Sequence, residues 1–481
     1  MQELVKTALP VCAPLSTTDS GEVFRAISRL PHPFFIDSSM VATRLGRFSM
    51  LGAQPFAAIS SKGRIITTIE GGRTHTFRGD PFRALREMLR RHGRPAAPAG
   101  QWPFTGGAVG FLSYDLKHFV EKLPDRAVDD VGCPDMYFGF YDAVVCIDHH
   151  DGAGAVIAYD GDDGPAQARA DRLRAHVEGG VGGAPPARTS QPAAELKGNF
   201  TREDYMATIE RCKEYIAAGD IFQVNLSQRF ETTAALPPPA LYERLRAINP
   251  APFACYLQHG DYAVLSSSPE RFLKVSRPHS AGAWHVETRP IKGTRPRRPR
   301  DEAFNERMRR ELLNSPKDNA ELTMIVDLER NDLGRVCSYG SVKVTEKVVL
   351  EEYPTVYHLV ATVEGDLHQG RDIVDLLKAT FPGGSITGAP KIRAMEIIDE
   401  LEPTRRGVYT GAMGYISFDG TADFNIAIRT ILMKGRRVFF QAGGGIVADS
   451  EPAAEYDETL AKAEALFDAL GCQRPCGNYE L

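Results

Sequence analysis

Lys292 stands between Ile291 and Gly293 in Pro290-Ile291-Lys292-Gly293-Thr294, an apolar, strand-like setting for a charged residue. At a strand end such a lysine can project into a cleft, where burial lowers its pKa and frees the amine as a nucleophile. The stretch equally fits a solvated lysine in a basic loop, since Arg289, Arg295, Arg297, Arg298 and Arg300 surround it without interleaved aromatics. Two carboxylate pairs could do a different chemistry. Asp318 and Glu321 follow Ser315-Pro316, an N-cap and a first-turn proline that open a helix. Glu455, Glu458 and Lys462 share one face of a second helix. Each set could be ordinary, because first-turn acids suit the helix dipole and Glu458 with Lys462 is a common surface pair. If the two helices converge, four carboxylates repel unless a hard cation joins them, and oxygen-only ligands suit Mg²⁺.

Two glycine-rich stretches offer backbone amides to anions. Phe381-Pro382-Gly383-Gly384-Ser385-Ile386-Thr387-Gly388-Ala389-Pro390-Lys391 leads into a helix at 392–401, whose first-turn amides could hold a carboxylate or phosphate. Gln441-Ala442-Gly443-Gly444-Gly445-Ile446 reads as a strand end from which successive amides could point at one anion. Neither has Walker or Rossmann spacing, which disfavours a nucleotide site. Arg429, in an alternating strand at 425–432, is a candidate carboxylate clamp. His358 is the best-placed general acid or base, although a lone histidine among apolar residues is more often a core residue.

The elements that must position these residues alternate between strand and helix. Residues 34–38, 46–52, 107–115, 144–147, 155–159, 221–226 and 262–266 read as strands, with a hairpin at 65–77 turning on Glu70-Gly71-Gly72-Arg73. Residues 81–92, 165–176, 201–218 and 239–248 read as helices, the third capped by Thr201 with Asp204 three residues on. Gly107-Ala108-Val109-Gly110-Phe111-Leu112-Ser113-Tyr114-Asp115 has a near copy in Gly411-Ala412-Met413-Gly414-Tyr415-Ile416-Ser417-Phe418-Asp419, which hints at two related halves. The pattern predicts an α/β (α+β) protein with large, mostly antiparallel sheets. The Gly/Pro-rich stretch 179–194 reads as a linker between an N-terminal region (1–178) and a larger region (195–470), with a tail at 471–481.

At 481 residues and a formal charge of -5, the chain can bury a large core and shows no general affinity for nucleic acid or anionic membrane. No apolar run approaches the ~20 residues that span a bilayer, and no signal peptide is evident, so a cytoplasmic location is expected. Eight scattered cysteines without CxxC pairs argue for reduced thiols and against structural zinc.

Five segments together resemble the chorismate-utilising enzymes, a family that includes component I of anthranilate synthase and of aminodeoxychorismate synthase. They are 290–294, 320–335 (Ala-Glu-Leu-Thr-Met-Ile-Val-Asp-Leu-Glu-Arg-Asn-Asp-Leu-Gly-Arg), 381–391, 442–450 and 455–462. The resemblance covers residues 195–470 and extends weakly to 36–52, which looks like the family's amino-terminal amino-acid-sensing segment. It implies a two-subdomain fold of antiparallel sheets packed as a sandwich with helices outside. It implies Mg²⁺ held by Glu321 and Glu458, with Asp318 and Glu455 direct or through water. Tyr409, Arg429, Gly443, Gly444, Gly445 and Lys462 would surround the substrate's carboxylates, and Thr294, Thr387 and Gly388 the ring of chorismate. Glu321, Lys292 and His358 would be catalytic, with His358 near the departing hydroxyl.

Lysine at 292 is similar to the aminodeoxychorismate synthases, where the anthranilate enzymes have alanine. Water-adding relatives carry a base lysine where this chain has Gln223, so ammonia is the implied nucleophile. The resemblance therefore implies amination of chorismate to 4-amino-4-deoxychorismate, for 4-aminobenzoate and folate synthesis, with ammonia from a glutamine amidotransferase subunit (component II). Anthranilate synthase component I, which aminates ring carbon 2 and eliminates pyruvate, is the alternative. Ser38 matches the anthranilate enzymes' feedback serine, but its flanks and the stretch containing Pro252 and Phe253 depart from their inhibitor-pocket pattern.

Overall fold

The computed structural model describes residues 9–38, 40, 45–94, 102–180, 195–277, 282–353, 356–473 and 475. Their strands form two sheets of twelve, with antiparallel neighbours throughout. The first runs Val11–Pro14, Ala153–Ala158, Ala143–Asp148, Phe48–Gly52, Phe34–Asp37, Phe253–His259, Tyr262–Ser268, Thr430–Lys434, Arg437–Ile446, Gln223–Thr233 and Lys197–Gly198, with Gly388–Ala389 also on Gln223–Thr233. The second runs Ile291–Pro296, Val356–Asp366, His285–Arg289, Arg271–Ser276, Ala422–Ile426, Ala412–Ser417, Gly107–Leu112, Met136–Tyr141, Ala57–Lys62, Ile65–Glu70 and Arg73–Arg78, with Lys343–Glu352 also on Val356–Asp366.

The sheets pack face to face. Phe34, Val264 and Phe439 of the first meet Val109, Tyr137 and Met413 of the second in one buried cluster. Strands buried on both faces, such as Gly107–Leu112 and Met136–Tyr141, lie mid-sheet, whereas the edge strand Arg73–Arg78 is mostly exposed. Pro452–Leu470, Arg202–Ala217 and Pro238–Ile248 cover the outer face of the first sheet, and Glu302–Leu313 and Pro316–Gly334 that of the second. The expected sandwich with helices outside is the observed architecture.

The near-repeated strands are neighbours. Ala412–Ser417 pairs antiparallel with Gly107–Leu112 at the centre of the second sheet, with Gly110 opposite Gly414. A Cβ on Gly110 would enter the Tyr137 carbonyl oxygen, and one on Gly414 that of Asp423, so both glycines are required by close backbone approach. Local signals also hold. Gly71 and Gly72 turn the 65–78 hairpin at φ +52° and +73°, and Thr201 accepts the Asp204 N–H at 3.1 Å.

Three readings are corrected. The basic stretch is a solvated loop only at its end, residues 298–300: residues 285–289 and 291–296 are strands, and buried Arg289 binds Glu346 at 2.8 Å and Glu351 at 2.5 Å. Residues 425–432 are not one strand. Ala422–Ile426 belongs to the second sheet and Thr430–Lys434 to the first, and the chain crosses between them at Arg429. The helix assigned to 165–176 is Ala166–Gly179. Residues 181–194 of the expected linker lie outside the described residues, and the chain on either side of it feeds both sheets.

Candidate active site

Lys292 lies on Ile291–Pro296, paired with Leu359 on Val356–Asp366. Its Nζ donates to the Ser385 carbonyl at 3.4 Å. The side chain is half-buried, and burial holds its pKa below the ordinary lysine value. Glu321 opposes the shift, while Lys462 adds to it. Lys292 is therefore a half-buried strand residue, and for it the basic-loop reading fails. Beside it Glu270 is 5% exposed, and burial pushes its carboxyl up to about 7 against the pull of Ser385, Lys292 and the Ile291 amide. The sequence signal for Glu270 is an acid between a Ser-Pro pair and a buried strand.

The two acidic helices approach one another, which the sequence left as a condition. Glu321 from Pro316–Gly334 and Glu458 from Pro452–Leu470 both act on Lys292, and Lys317 attracts Glu455 and Glu458 across the gap. The acids do not form one tight knot. Asp318 pairs with Arg295 at 3.1 Å, Glu458 with Lys462 at 2.7 Å, and Glu455 accepts from Ser450 Oγ at 2.7 Å. Lys462 holds Glu458 below the usual carboxylate range, whereas burial pushes Glu455 up. Glu321 makes no hydrogen bond to a described residue. Among the described residues, only His118, Asp125 and Asp399 bring three ligand atoms within 4.8 Å of one another. The facing acids still fit Mg²⁺ in donor chemistry, being all oxygen with Glu321 uncommitted.

Arg429 reaches the cleft from the crossover, at φ +49°, a backbone state that side chains other than glycine rarely adopt. Its guanidinium has no hydrogen bond or ion pair among the described residues, and burial lowers its pKa. His358 is 3% exposed and shares a 3.0 Å hydrogen bond with Thr294 through Nδ1, while its Nε2 has no partner among the described residues. Burial and Arg429 press its pKa down to about 3, so the imidazole is neutral. Gln223 and Asn225 face one way from their strand, each with a buried side-chain oxygen lacking a partner among the described residues. Tyr409 is buried beside Arg406, which its Glu402 partner neutralises.

The glycine stretches differ from expectation. Gly443, Gly444 and Gly445 lie inside Arg437–Ile446, paired with Ser227, Leu226 and Asn225, so they form no free amide nest. They are glycine for space. A Cβ on Gly443 would approach the Leu226 carbonyl at 2.5 Å, and one on Gly444 would come 3.1 Å from Glu455 Oε2, on the side facing Lys462. Lys462 Nζ also donates to the Gly443 carbonyl at 3.1 Å. In the 381–391 stretch, Gly384 N–H is held by Glu329, the Thr387 hydroxyl donates to the Gly383 carbonyl, and Gly388 pairs with Val224. The following helix is Lys391–Leu401 with Pro390 as its cap.

The possible amino-acid pocket lies elsewhere in the first sheet. Asp37 pairs with Ala254, which brings Ser38 to the end of the sheet where Pro252 and Phe253 enter it. Ser38 N–H donates to Ser49 Oγ at 3.3 Å, and Ser49 meets His149 at 2.7 Å. Residues 41–44 of this stretch lie outside the described residues.

Comparison with known proteins follows this geometry. A family model described as chorismate binding enzyme matches residues 40–468. Aminodeoxychorismate synthase component 1 of Bacillus subtilis is 42% identical over 436 residues, which cover 89% of this chain and 90% of that protein. Anthranilate synthase component 1 of Thermus thermophilus is 41% identical over 440 residues, covering 91% and 92%. The solved structure of anthranilate synthase component I from Streptococcus pneumoniae superposes with a TM-score of 0.75 at 34% identity, over 87% of this chain and 91% of that one. A match running through both sheets and both acidic helices makes this chain a member of the chorismate binding enzyme family.

Proposed function

We propose that the protein aminates chorismate with ammonia, giving 4-amino-4-deoxychorismate for 4-aminobenzoate and folate synthesis. The observation that carries this reading is Lys292, an amine held below its ordinary pKa by burial, with Glu321, Glu270 and Glu458 acting on it. The neutral amine attacks ring carbon 2, the ring double bonds shift, and the hydroxyl leaves carbon 4 with a proton. Glu270, half in its acid form near neutral pH, supplies that proton. Ammonia then attacks carbon 4, the double bonds shift back, and the Lys292 amine departs from carbon 2. Neutral His358, tethered to Thr294, offers an N–H or a lone pair to the ring face.

The unpaired Arg429 guanidinium takes one substrate carboxylate in its fork. Glu321 and Glu458, with Asp318 and Glu455 beside them, would hold Mg²⁺, whose charge would offset that of the second carboxylate. Gln223 stands where a water-activating base would be needed, and an amide cannot take a proton from water, which favours ammonia. The relatives' designation as component 1 supports a second subunit, and a glutamine amidotransferase (component II) is the source of ammonia the reading requires.

The alternative, amination at carbon 2 with pyruvate release, is favoured by relatives of near-equal identity that are named anthranilate synthase. Incubating purified chain with chorismate, Mg²⁺ and ammonium separates the two. Accumulation of 4-amino-4-deoxychorismate supports the proposal; fluorescent anthranilate appearing instead would overturn it.

A further inference from the structure

Glu329 lies two turns beyond Glu321 on the same helix but faces the protein interior, 3% exposed. Its Oε1 accepts the Gly384 N–H at 3.1 Å, and its Oε2 has no partner among the described residues. Gly384 opens the single turn Gly384–Ile386, whose middle residue meets both reacting groups of the proposed amination. The Ser385 carbonyl accepts from Lys292 Nζ at 3.4 Å, and the Ser385 side chain acts on the neighbouring Glu270 carboxyl, pulling its pKa down. The segment is pinned from its other side by Lys391, which pairs with Asp332 and donates to the Thr380 and Pro382 carbonyls at 3.1 and 2.9 Å.

We propose that Glu329 is a positioning residue: by holding the Gly384 amide it fixes Ser385, and through Ser385 the direction of the Lys292 amine and of the Glu270 carboxyl. A neutral amine that donates one N–H to a fixed carbonyl has its lone pair turned away from that oxygen, toward the cleft. Losing the anchor lets the turn drift, and a misplacement of about 1 Å can cost on the order of 100-fold in rate. The charged and titratable groups facing Glu329 are Asp332, Lys391 and Glu270, with Arg335 beyond Asp332. Two acids share one lysine there, and burial with the Asp332 charge keeps Glu329 in its acid form. A neutral amide should therefore replace it.

This inference rests on the amination reading, so wild-type turnover is measured first; an inactive wild type sinks that reading and this inference with it. With an active wild type, Glu329→Ala should lose about 10- to 100-fold in kcat with KM for chorismate within about twofold. Glu329→Gln should keep kcat within about threefold, because its carbonyl still accepts from Gly384. It should also lose any change in the alkaline limb of the pH profile that follows Glu329 ionisation. Should Glu329→Ala not fold, Glu329→Asp carries the same test, since one methylene less withdraws the acceptor. Wild-type kcat in Glu329→Ala, or Glu329→Gln as poor as Glu329→Ala, overturns the proposal.

Discussion

Replacing Arg429 with Met should stabilise the substrate-free protein and impair the enzyme. The guanidinium is enclosed and without a counter-charge among the described residues, and burial already lowers its pKa. Transferring an ion fully into a protein interior costs several kcal/mol, and an unpaired one recovers none of it. Arg429 is only half-buried, so the penalty relieved by Met is roughly 1 kcal/mol. For a chain of this size that raises Tm by about 1–2 °C. The left-handed backbone at φ +49° stays in the variant, so its strain cancels from the comparison. On the substrate side, a hydrogen bond to a charged group contributes about 1.5–3 kcal/mol. At ~1.4 kcal/mol per tenfold, kcat/KM for chorismate should fall roughly 10- to 150-fold. Arg429→Lys, which keeps the charge without the planar fork, should fall between. Steady-state kinetics and thermal unfolding without substrate read the two effects separately. A lower Tm with unchanged kcat/KM would refute the reasoning, because it would mean that the guanidinium serves the fold.

The remaining predictions concern the rest of the cleft. Lys292→Ala, supplied with ammonium, should lose activity by at least 100-fold; full activity would remove the covalent step. Glu270 has a folded pKa raised to about 7, so the folded protein binds more protons than the unfolded chain between about 4.5 and 7, and stability falls with rising pH in that window. Glu270→Gln should therefore melt higher than wild type at pH 8, with the gap closing toward pH 4.5; a pH-independent gap contradicts the assignment. His358, lowered to about 3, has the opposite sign: its contribution to stability is lost as pH falls from 6.5, and His358→Asn should flatten that acid limb in thermal melts. Mg²⁺ with chorismate should raise the wild-type Tm and leave that of Glu321→Gln unmoved; an equal rise in both rules out Glu321 as a ligand. Gly414→Ala should cost about 1–3 kcal/mol or prevent folding, because the Asp423 carbonyl cannot yield within a paired strand.

How much of this was legible depends on the range over which each residue is decided. The Thr201 cap, the Ser315-Pro316 helix start and the 70–73 turn are settled within four residues, and the chain shows all three as its local pattern predicts. The convergence of the acidic helices was legible only as a condition, since four carboxylates imply a cation solely if distant segments meet. Arg289 was misread because Glu346 and Glu351, which neutralise it, lie far along the chain, and a run of arginines carries no sign of acids to come. The strand at 425–432 was misread for a subtler reason. Alternation of apolar and polar residues is the same in either sheet, so it cannot reveal a chain that leaves one sheet for the other. What marks the crossing is Arg429 in a left-handed conformation, a state its residue type resists. Gly443–Gly445 illustrate the converse: glycine signals close approach, but whether to an anion or to a neighbouring strand is decided by pairing with residues 225–227. Glu270 acts on Lys292, and Arg429 on His358, whose partner Thr294 lies two residues along the same strand. Around that strand the Arg429 guanidinium, without a counter-charge among the described residues, and the Glu270 carboxyl, raised to about 7, are each held against their own preference, and a bound dianion with a reacting amine would supply the compensation that the isolated fold lacks.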